Sequence, residues 1–157
     1  MNNLLNGDIC KIKNEYLSKI NEENLEANIK SNRLYMYLTV KYKDLIFLVP
    51  FESDLFQKNQ PAIYPLPTEK KPNAGLNFEK TLILDDESQI EKIEFEDLKI
   101  PRSQKNKIVD DLEEINEKFN RYIENFIKTC AKNRENREFA YRFSTLKEES
   151  YKKKILN

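Results

Sequence analysis

The stretch from Arg33 to Ser53, RLYMYLTVKYKDLIFLVPFES, constrains the fold of this chain more than any other segment. In its first half every second residue is apolar, which is the pattern of a β-strand with one face against a core. Its second half is almost continuously apolar, and Lys43-Asp44 separates the two. We therefore predict a β-hairpin that turns at Lys43-Asp44 and ends at the polar cluster Glu52-Ser53-Asp54.

The two faces of the first strand differ in chemistry. One face carries Leu34, Met36, Leu38, Val40 and Tyr42, and the other carries Tyr35, Tyr37, Thr39, Lys41 and Lys43. Tyrosine stacks on bases and lysine pairs with phosphates in RNA complexes. We expect the first set to face a core and the second set to be open to RNA. In the alternative interpretation, Tyr35 and Tyr37 simply pack against neighbouring strands.

The rest of the chain predicts an α+β fold. Ile9 and Ile12 indicate a short strand, residues 82–84 a buried strand and Ile93 with Phe95 another. Four of the six prolines lie between residues 54 and 73, which favours an irregular loop.

A long amphipathic helix follows, with Ser103 as its predicted N-cap. Its apolar stripe consists of Ile108, Leu112, Ile115, Phe119, Ile123 and Phe126. We predict a single domain, residues 1–157, in which a small, strongly curved, barrel-like antiparallel sheet packs against helices.

Composition excludes several classes of protein. The 27 basic side chains balance the 27 acidic ones, so net charge gives no case for nucleic-acid binding. The C-terminal residues 128–157 nevertheless carry 9 basic and 4 acidic side chains, which could bind phosphate or simply be solvated. Cys10 and Cys130 are far apart and the chain has no histidine, so we expect reduced thiols and neither a metal nor a cofactor. No apolar run could span a bilayer and no signal peptide is visible, so we expect a cytoplasmic protein without a membrane partner.

Four short motifs occur in a fixed order along the chain. They are I-x-x-x-Y-L from Ile12 to Leu17, Arg33-Leu34-Tyr35, the strand end from Val49 to Ser53, and Gly-Leu-x-x-x-Lys from Gly75 to Lys80. A closing segment contains Phe143, Ser144, Leu146, Glu148 and Tyr151. With these motifs the chain resembles the endoribonuclease toxins of type III toxin–antitoxin systems, the group of ToxN, AbiQ, CptN and TenpN. It is most similar to the TenpN branch.

The resemblance implies a specific activity. Such toxins cut RNA without a metal, and they process their own repetitive antitoxin RNA into pseudoknot units that then inhibit them. Free toxin cleaves cellular mRNA, slows growth and in many systems aborts phage infection. The implied partners are therefore the antitoxin RNA, in a hetero-oligomeric protein–RNA assembly, and cellular mRNA as substrate.

The resemblance also implies site residues, with two departures from the better-known pattern. Ser53 falls at the catalytic position, but Glu52 replaces the preceding threonine and Leu55 replaces a lysine. The nearest downstream lysine is Lys58. The candidate catalytic residues are Ser53, Glu52, Arg33 and Lys58. The candidate RNA-binding residues are Tyr35, Lys80, Asn77, Gln57, Lys41, Phe143 and Ser144.

Metal-independent cleavage proceeds by attack of the 2′-hydroxyl on the adjacent phosphorus, which needs a base, charge stabilisation and an acid. Without histidine, the base must be a carboxylate, a tyrosine, a lysine with a lowered pKa, or solvent. Glu52 and Asp54 are the nearest carboxylates to Ser53. Glu52 could assist proton transfer, or it could be a solvated strand-end residue that pairs with a lysine. An alternative function is an inactive RNA-binding module of the same fold, which the changes around Ser53 and the lack of histidine favour.

Overall fold

A computed structural model describes residues 5–13, 36–55, 60–84, 87–141 and 144–156. Within these ranges the chain forms seven strands and two α-helices. The strands are β1 (Ile9–Ile12), β2 (Tyr37–Tyr42), β3 (Leu45–Glu52), β4 (Ile63–Pro65), β5 (Gly75–Asn77), β6 (Leu82–Ile83) and β7 (Ile90–Ile93). The helices are α1 (Arg102–Ala131) and α2 (Glu149–Leu156). Two single-turn 3-10 helices, Phe78–Lys80 and Thr145–Lys147, lie near the candidate site.

The strands form one antiparallel sheet in the order β4-β5-β3-β2-β1-β7. Strand β3 is long enough to have further partners: it pairs with β6 at Phe47 and Leu48, and with β5 at Phe51 and Glu52. The predicted α+β class is confirmed. The sheet is not closed into a barrel, because among the described strands its two ends, β4 and β7, do not pair with each other.

The predicted hairpin is confirmed. Tyr42 pairs with Leu45, which leaves Lys43 and Asp44 as a two-residue turn. Lys43 has a φ of 54°, in the left-handed region that tight hairpin turns require.

The prediction that one face of β2 is open is wrong for two of its residues. Tyr37 is 1% exposed and Thr39 is 0% exposed. A second, smaller apolar cluster covers this side of the sheet and consists of Cys10, Ile12, Tyr37, Leu48, Leu82 and Ile90. Strands β1, β6 and β7 contribute the neighbouring side chains of this cluster, and Tyr151 of α2 packs against it. The middle of the hairpin is therefore buried on both faces, and its turn end, with Lys41 and Lys43, is exposed.

The main core lies between the sheet and α1. The predicted stripe on α1 is buried except at Leu112, which is half-buried. Phe119 packs edge-on against Phe47, with ring centroids 5.1 Å apart, and against Phe78 at 5.2 Å. Helix α1 is thereby fixed against both β3 and the 78–80 turn.

The start of α1 differs from the prediction. The N-cap is Pro101, whose carbonyl oxygen accepts hydrogen bonds from Gln104 N and Lys105 N, and Ser103 lies inside the helix. The fixed φ of proline, here −58°, suits the entrance to a helix, so the helix begins before the serine.

Other local predictions have mixed outcomes. The proline-rich segment is not wholly irregular, since it contains β4, whose Pro65 lies on an edge strand where a missing N–H is tolerated. The buried strand at residues 82–84 is confirmed as β6. Ile93 ends β7, while Phe95 lies in the next turn and is 41% exposed.

Both thiols are free, with Cys10 buried and Cys130 half-buried. Within the described ranges, no helix is both long and apolar enough to cross a lipid bilayer.

Candidate active site

Three residues singled out by the sequence meet at the end of β3. The Nδ2 of Asn77 donates a hydrogen bond to Oε1 of Glu52 at 3.1 Å. The Nζ of Lys80 lies 4.0 Å from the same oxygen. We refer to Glu52, Asn77 and Lys80 as the strand-end cluster.

The pairing of β3 with β5 explains how these residues come together. Phe51 pairs with Leu76 and Glu52 with Gly75, so Asn77 follows directly after the paired segment. Asn77 then caps the 78–80 turn, because its Oδ1 accepts a hydrogen bond from Glu79 N at 3.0 Å. The tight turn brings Lys80 back toward Glu52.

The strand-end cluster is partly open to solvent. The side chain of Glu52 is 22% exposed and that of Lys80 is 39% exposed. An ion pair with this exposure and a separation of 4.0 Å contributes little to stability, in general ~0–1 kcal/mol. The ammonium group of Lys80 can therefore leave Glu52 for a ligand phosphate at little cost.

Ser53 and Leu55 follow β3 directly. Ser53 is half-buried and lies one residue beyond the pair of Glu52 with Gly75. Leu55 is 5% exposed, and its backbone N donates to Asn73 O at 2.7 Å. The position at which the resembled toxins have a lysine is thus an interior apolar position here, and Lys80 supplies a cation beside Glu52.

Hydrogen bonds connect the site to the C-terminal segment. Thr81 donates through Oγ1 to Leu48 O at 3.0 Å, and Thr145 donates through Oγ1 to Thr81 O at 2.5 Å. The two threonines were not predicted, because no local pattern signals a contact between residues 64 positions apart.

Ser144 has an interior position. It is 5% exposed, and its Oγ accepts a hydrogen bond from Leu146 N and lies 2.9 Å from the hydroxyl of Tyr122. Burial raises the pKa of Tyr122, so its phenol stays neutral and holds the segment at Ala140 and Ser144 against α1. This arrangement assigns Ser144 a packing role and leaves its hydroxyl turned away from solvent.

The remaining predicted residues do not join the strand-end cluster. Lys41 pairs with Ile46, near the turn, whereas Glu52 lies six residues further along β3, roughly 20 Å away at about 3.3 Å per residue. Arg33, Tyr35, Gln57, Lys58 and Phe143 lie outside the described residues. In the part of the chain that the structure describes, no group of three or more Cys, Asp or Glu side chains is arranged to hold a metal ion.

The fold has a counterpart among solved structures. That structure comes from a study of bacterial type III toxin–antitoxin systems and of selective toxin inhibition by a non-coding RNA pseudoknot. The likeness covers 75% of this chain and 78% of that chain, with a TM-score of 0.51 and 14% sequence identity. The two chains share a fold. No model of a known protein family and no curated protein sequence matches the chain.

Proposed function

We propose that this protein is the toxin of a type III toxin–antitoxin system, of the TenpN branch, and a metal-independent endoribonuclease. Its substrates are its own repetitive antitoxin RNA and cellular mRNA, and the processed RNA pseudoknot is its inhibitor. The observation that carries the proposal is the contact of Glu52 with Asn77 and Lys80 directly before Ser53. The shared fold with a protein from a toxin–antitoxin study supports it.

The strand-end cluster suits the chemistry of 2′-hydroxyl attack. One oxygen of Glu52 is held by Asn77 and lies near Lys80, while the other accepts no hydrogen bond from any described residue. That second oxygen can take the proton of the attacking hydroxyl. Lys80 can move from Glu52 to the phosphate and offset the charge that develops there. The hydroxyl of Ser53 would donate a hydrogen bond to the scissile phosphate. As the bond from the 2′-oxygen to phosphorus forms, the bond to the 5′-oxygen breaks, and the leaving 5′-oxygen takes its proton from solvent.

The ion pair with Lys80 fits both interpretations of Glu52, as a base and as a solvated partner of a lysine. The RNA-cleavage activity of a Glu52 variant distinguishes the two interpretations. Purified protein is incubated with end-labelled RNA in EDTA, and we expect fragments that end in a 2′,3′-cyclic phosphate. Glu52→Gln should lose most of this cleavage, while Lys99→Gln, a change at an exposed lysine outside the candidate residues, should retain it.

The rival function predicts a different outcome of the same experiment. An inactive RNA-binding module would retain labelled RNA in a gel-shift assay without producing fragments. The burial of Leu55 where the resembled toxins have a lysine favours this rival.

The biological part of the proposal has its own test. Induced expression in bacteria should arrest growth, and co-expression of the repetitive antitoxin RNA should restore it. Cells carrying the pair should resist phage by abortive infection. Normal growth during full expression of the wild-type protein would contradict the assignment as a toxin.

A further inference from the structure

The side-chain amide of Asn77 is engaged at both ends. Its Oδ1 accepts from the backbone N of Glu79 at 3.0 Å, and its Nδ2 donates to Oε1 of Glu52 at 3.1 Å. Because a backbone N–H can only donate, the oxygen must face Glu79 and the nitrogen must face Glu52. Both the position and the orientation of the amide are thereby determined.

We propose that Asn77 is a positioning residue that holds the carboxylate of Glu52, and that it does not contact RNA. This inference rests on the proposed function and assigns a role within that site. Asn77 is 1% exposed, so its side chain offers almost no surface to a ligand. The partly exposed groups beside it, Glu52 and Lys80, are the ones that can reach substrate.

One amide sets the positions of both charged groups. Its donor fixes Glu52, and its acceptor caps the turn that ends at Lys80. The same side chain therefore holds the proposed base, Glu52, and the turn that ends at Lys80, the cation that would move to the phosphate. A small misplacement of a reacting group can lower the rate about a hundredfold, which makes this role measurable.

The two duties of Asn77 require different chemistry and can be separated by substitution. Aspartate and serine cap helical turns about as well as asparagine, because capping needs only a side-chain oxygen. Neither replaces the amide donor: serine is too short to reach Glu52, and aspartate would oppose it with a second negative charge.

The test uses Asn77→Ser and Asn77→Asp in the full chain. Asn77→Ser should keep a melting temperature close to that of the wild type, because the cap is retained, whereas Asn77→Asp should melt at a lower temperature, because it buries a second negative charge beside Glu52. The kcat for RNA cleavage should fall by about tenfold in Asn77→Ser and by about a hundredfold in Asn77→Asp, with KM nearly unchanged. In a Glu52→Gln background Asn77→Ser should lower the residual rate no further, because the carboxylate that it positions is already gone.

Three outcomes would overturn the inference. Wild-type kcat in both variants would make Asn77 a cap and nothing more. A raised KM with unchanged kcat would make it an RNA contact. Equal losses from Asn77→Ser in the presence and absence of the Glu52 carboxylate would show that it acts independently of Glu52.

A measurement that does not depend on catalytic activity tests the contact even if the Asn77 variants fold poorly. The side-chain NH₂ resonances of Asn77 in NMR spectra should move when Glu52 is changed to glutamine, and an unchanged position would refute the contact. A wild-type protein that folds but does not cleave RNA would instead overturn the proposed function, while the NMR result would still report on the contact.

Discussion

The carbonyl oxygen of Tyr64 lies so close to Gly75 that a Cβ built on the glycine would approach it to 2.4 Å. The same Cβ would lie 2.7 Å from Cδ1 of Leu55. Gly75 pairs with Pro65 on one side and with Glu52 on the other, so it is enclosed between β4 and β3. This close approach fixes β5, and with it Asn77, against the end of β3.

Gly75→Ala should therefore destabilise the fold. The added methyl group must push apart two strands whose backbones are in contact, and overpacking of this kind costs about 1–3 kcal/mol. Urea unfolding measures the loss. Asn73→Ala, an exposed change two residues earlier, should remain within about 0.5 kcal/mol of the wild type. If Gly75→Ala were as stable as the control, the strands would be further apart than the structure has them.

Tyr64 connects β4 to α1. Its hydroxyl lies 3.0 Å from Oδ2 of Asp111 and 2.9 Å from Oε2 of Glu114. Lys107, and after it the Tyr64 hydroxyl, hold the pKa of Asp111 below its ordinary value. The stability that these contacts give is present above the unfolded-state pKa of an aspartate, about 4, and is lost as the pH falls through the lower folded value.

Tyr64→Phe should accordingly cost about 1 kcal/mol at pH 7 and progressively less below about pH 4, as the pH falls toward the lowered pKa of Asp111 in the folded protein. Unfolding curves at pH 7 and at pH 3 measure the difference. Tyr42→Phe is the matched control, because the hydroxyl of Tyr42 makes no hydrogen bond to any described residue. A cost of Tyr64→Phe that did not change with pH would contradict the link to Asp111.

The hairpin and α1 could be predicted because their signals are local. A period of two residues reveals β2, and a period near 3.6 reveals the stripe that ends at Phe126. The burial of Tyr37 depends on strands far along the chain, so alternation in β2 alone was misleading. The continuous apolar run of β3 did predict that both faces are buried, because a strand without alternation is typical of a sheet covered on both faces. Since β2 pairs with β3, the same burial applies to Tyr37.

The candidate site was predictable as a set of residues but not as a contact. Glu52, Asn77 and Lys80 each lie in or beside a motif, yet their meeting depends on the register of β3 with β5 and on the cap at residue 77. Neither the register nor the cap follows from a local pattern. The role of Ser144 could not be predicted either, because its partner Tyr122 lies 22 residues away in the sequence and comes close only after the C-terminal segment has packed on α1.

Ser53→Ala should abolish most RNA cleavage without weakening RNA binding. The hydroxyl is a donor to the scissile phosphate in the proposed function, and loss of one such donor costs about a hundredfold in kcat. Labelled-RNA cleavage gives the rate, and filter binding of a non-cleavable RNA gives the affinity. Ser103→Ala, which removes an exposed hydroxyl from α1, should leave both unchanged. Undiminished growth arrest by induced Ser53→Ala protein would exclude Ser53 from the mechanism.

Lys80→Gln distinguishes a lysine that binds phosphate from one that only pairs with Glu52. In the first case the substitution removes one phosphate contact, so the slope of log K against log salt concentration should become shallower by about 0.7 for single-stranded RNA, and cleavage should slow. In the second case the salt dependence should not change. Titrations of a non-cleavable RNA over a range of salt concentrations measure the slope. Lys99→Gln is the control, because it removes the same charge from an exposed lysine outside the candidate residues. An identical slope in the wild type and in Lys80→Gln would assign the cation role to another residue and leave Lys80 as the counter-charge of Glu52.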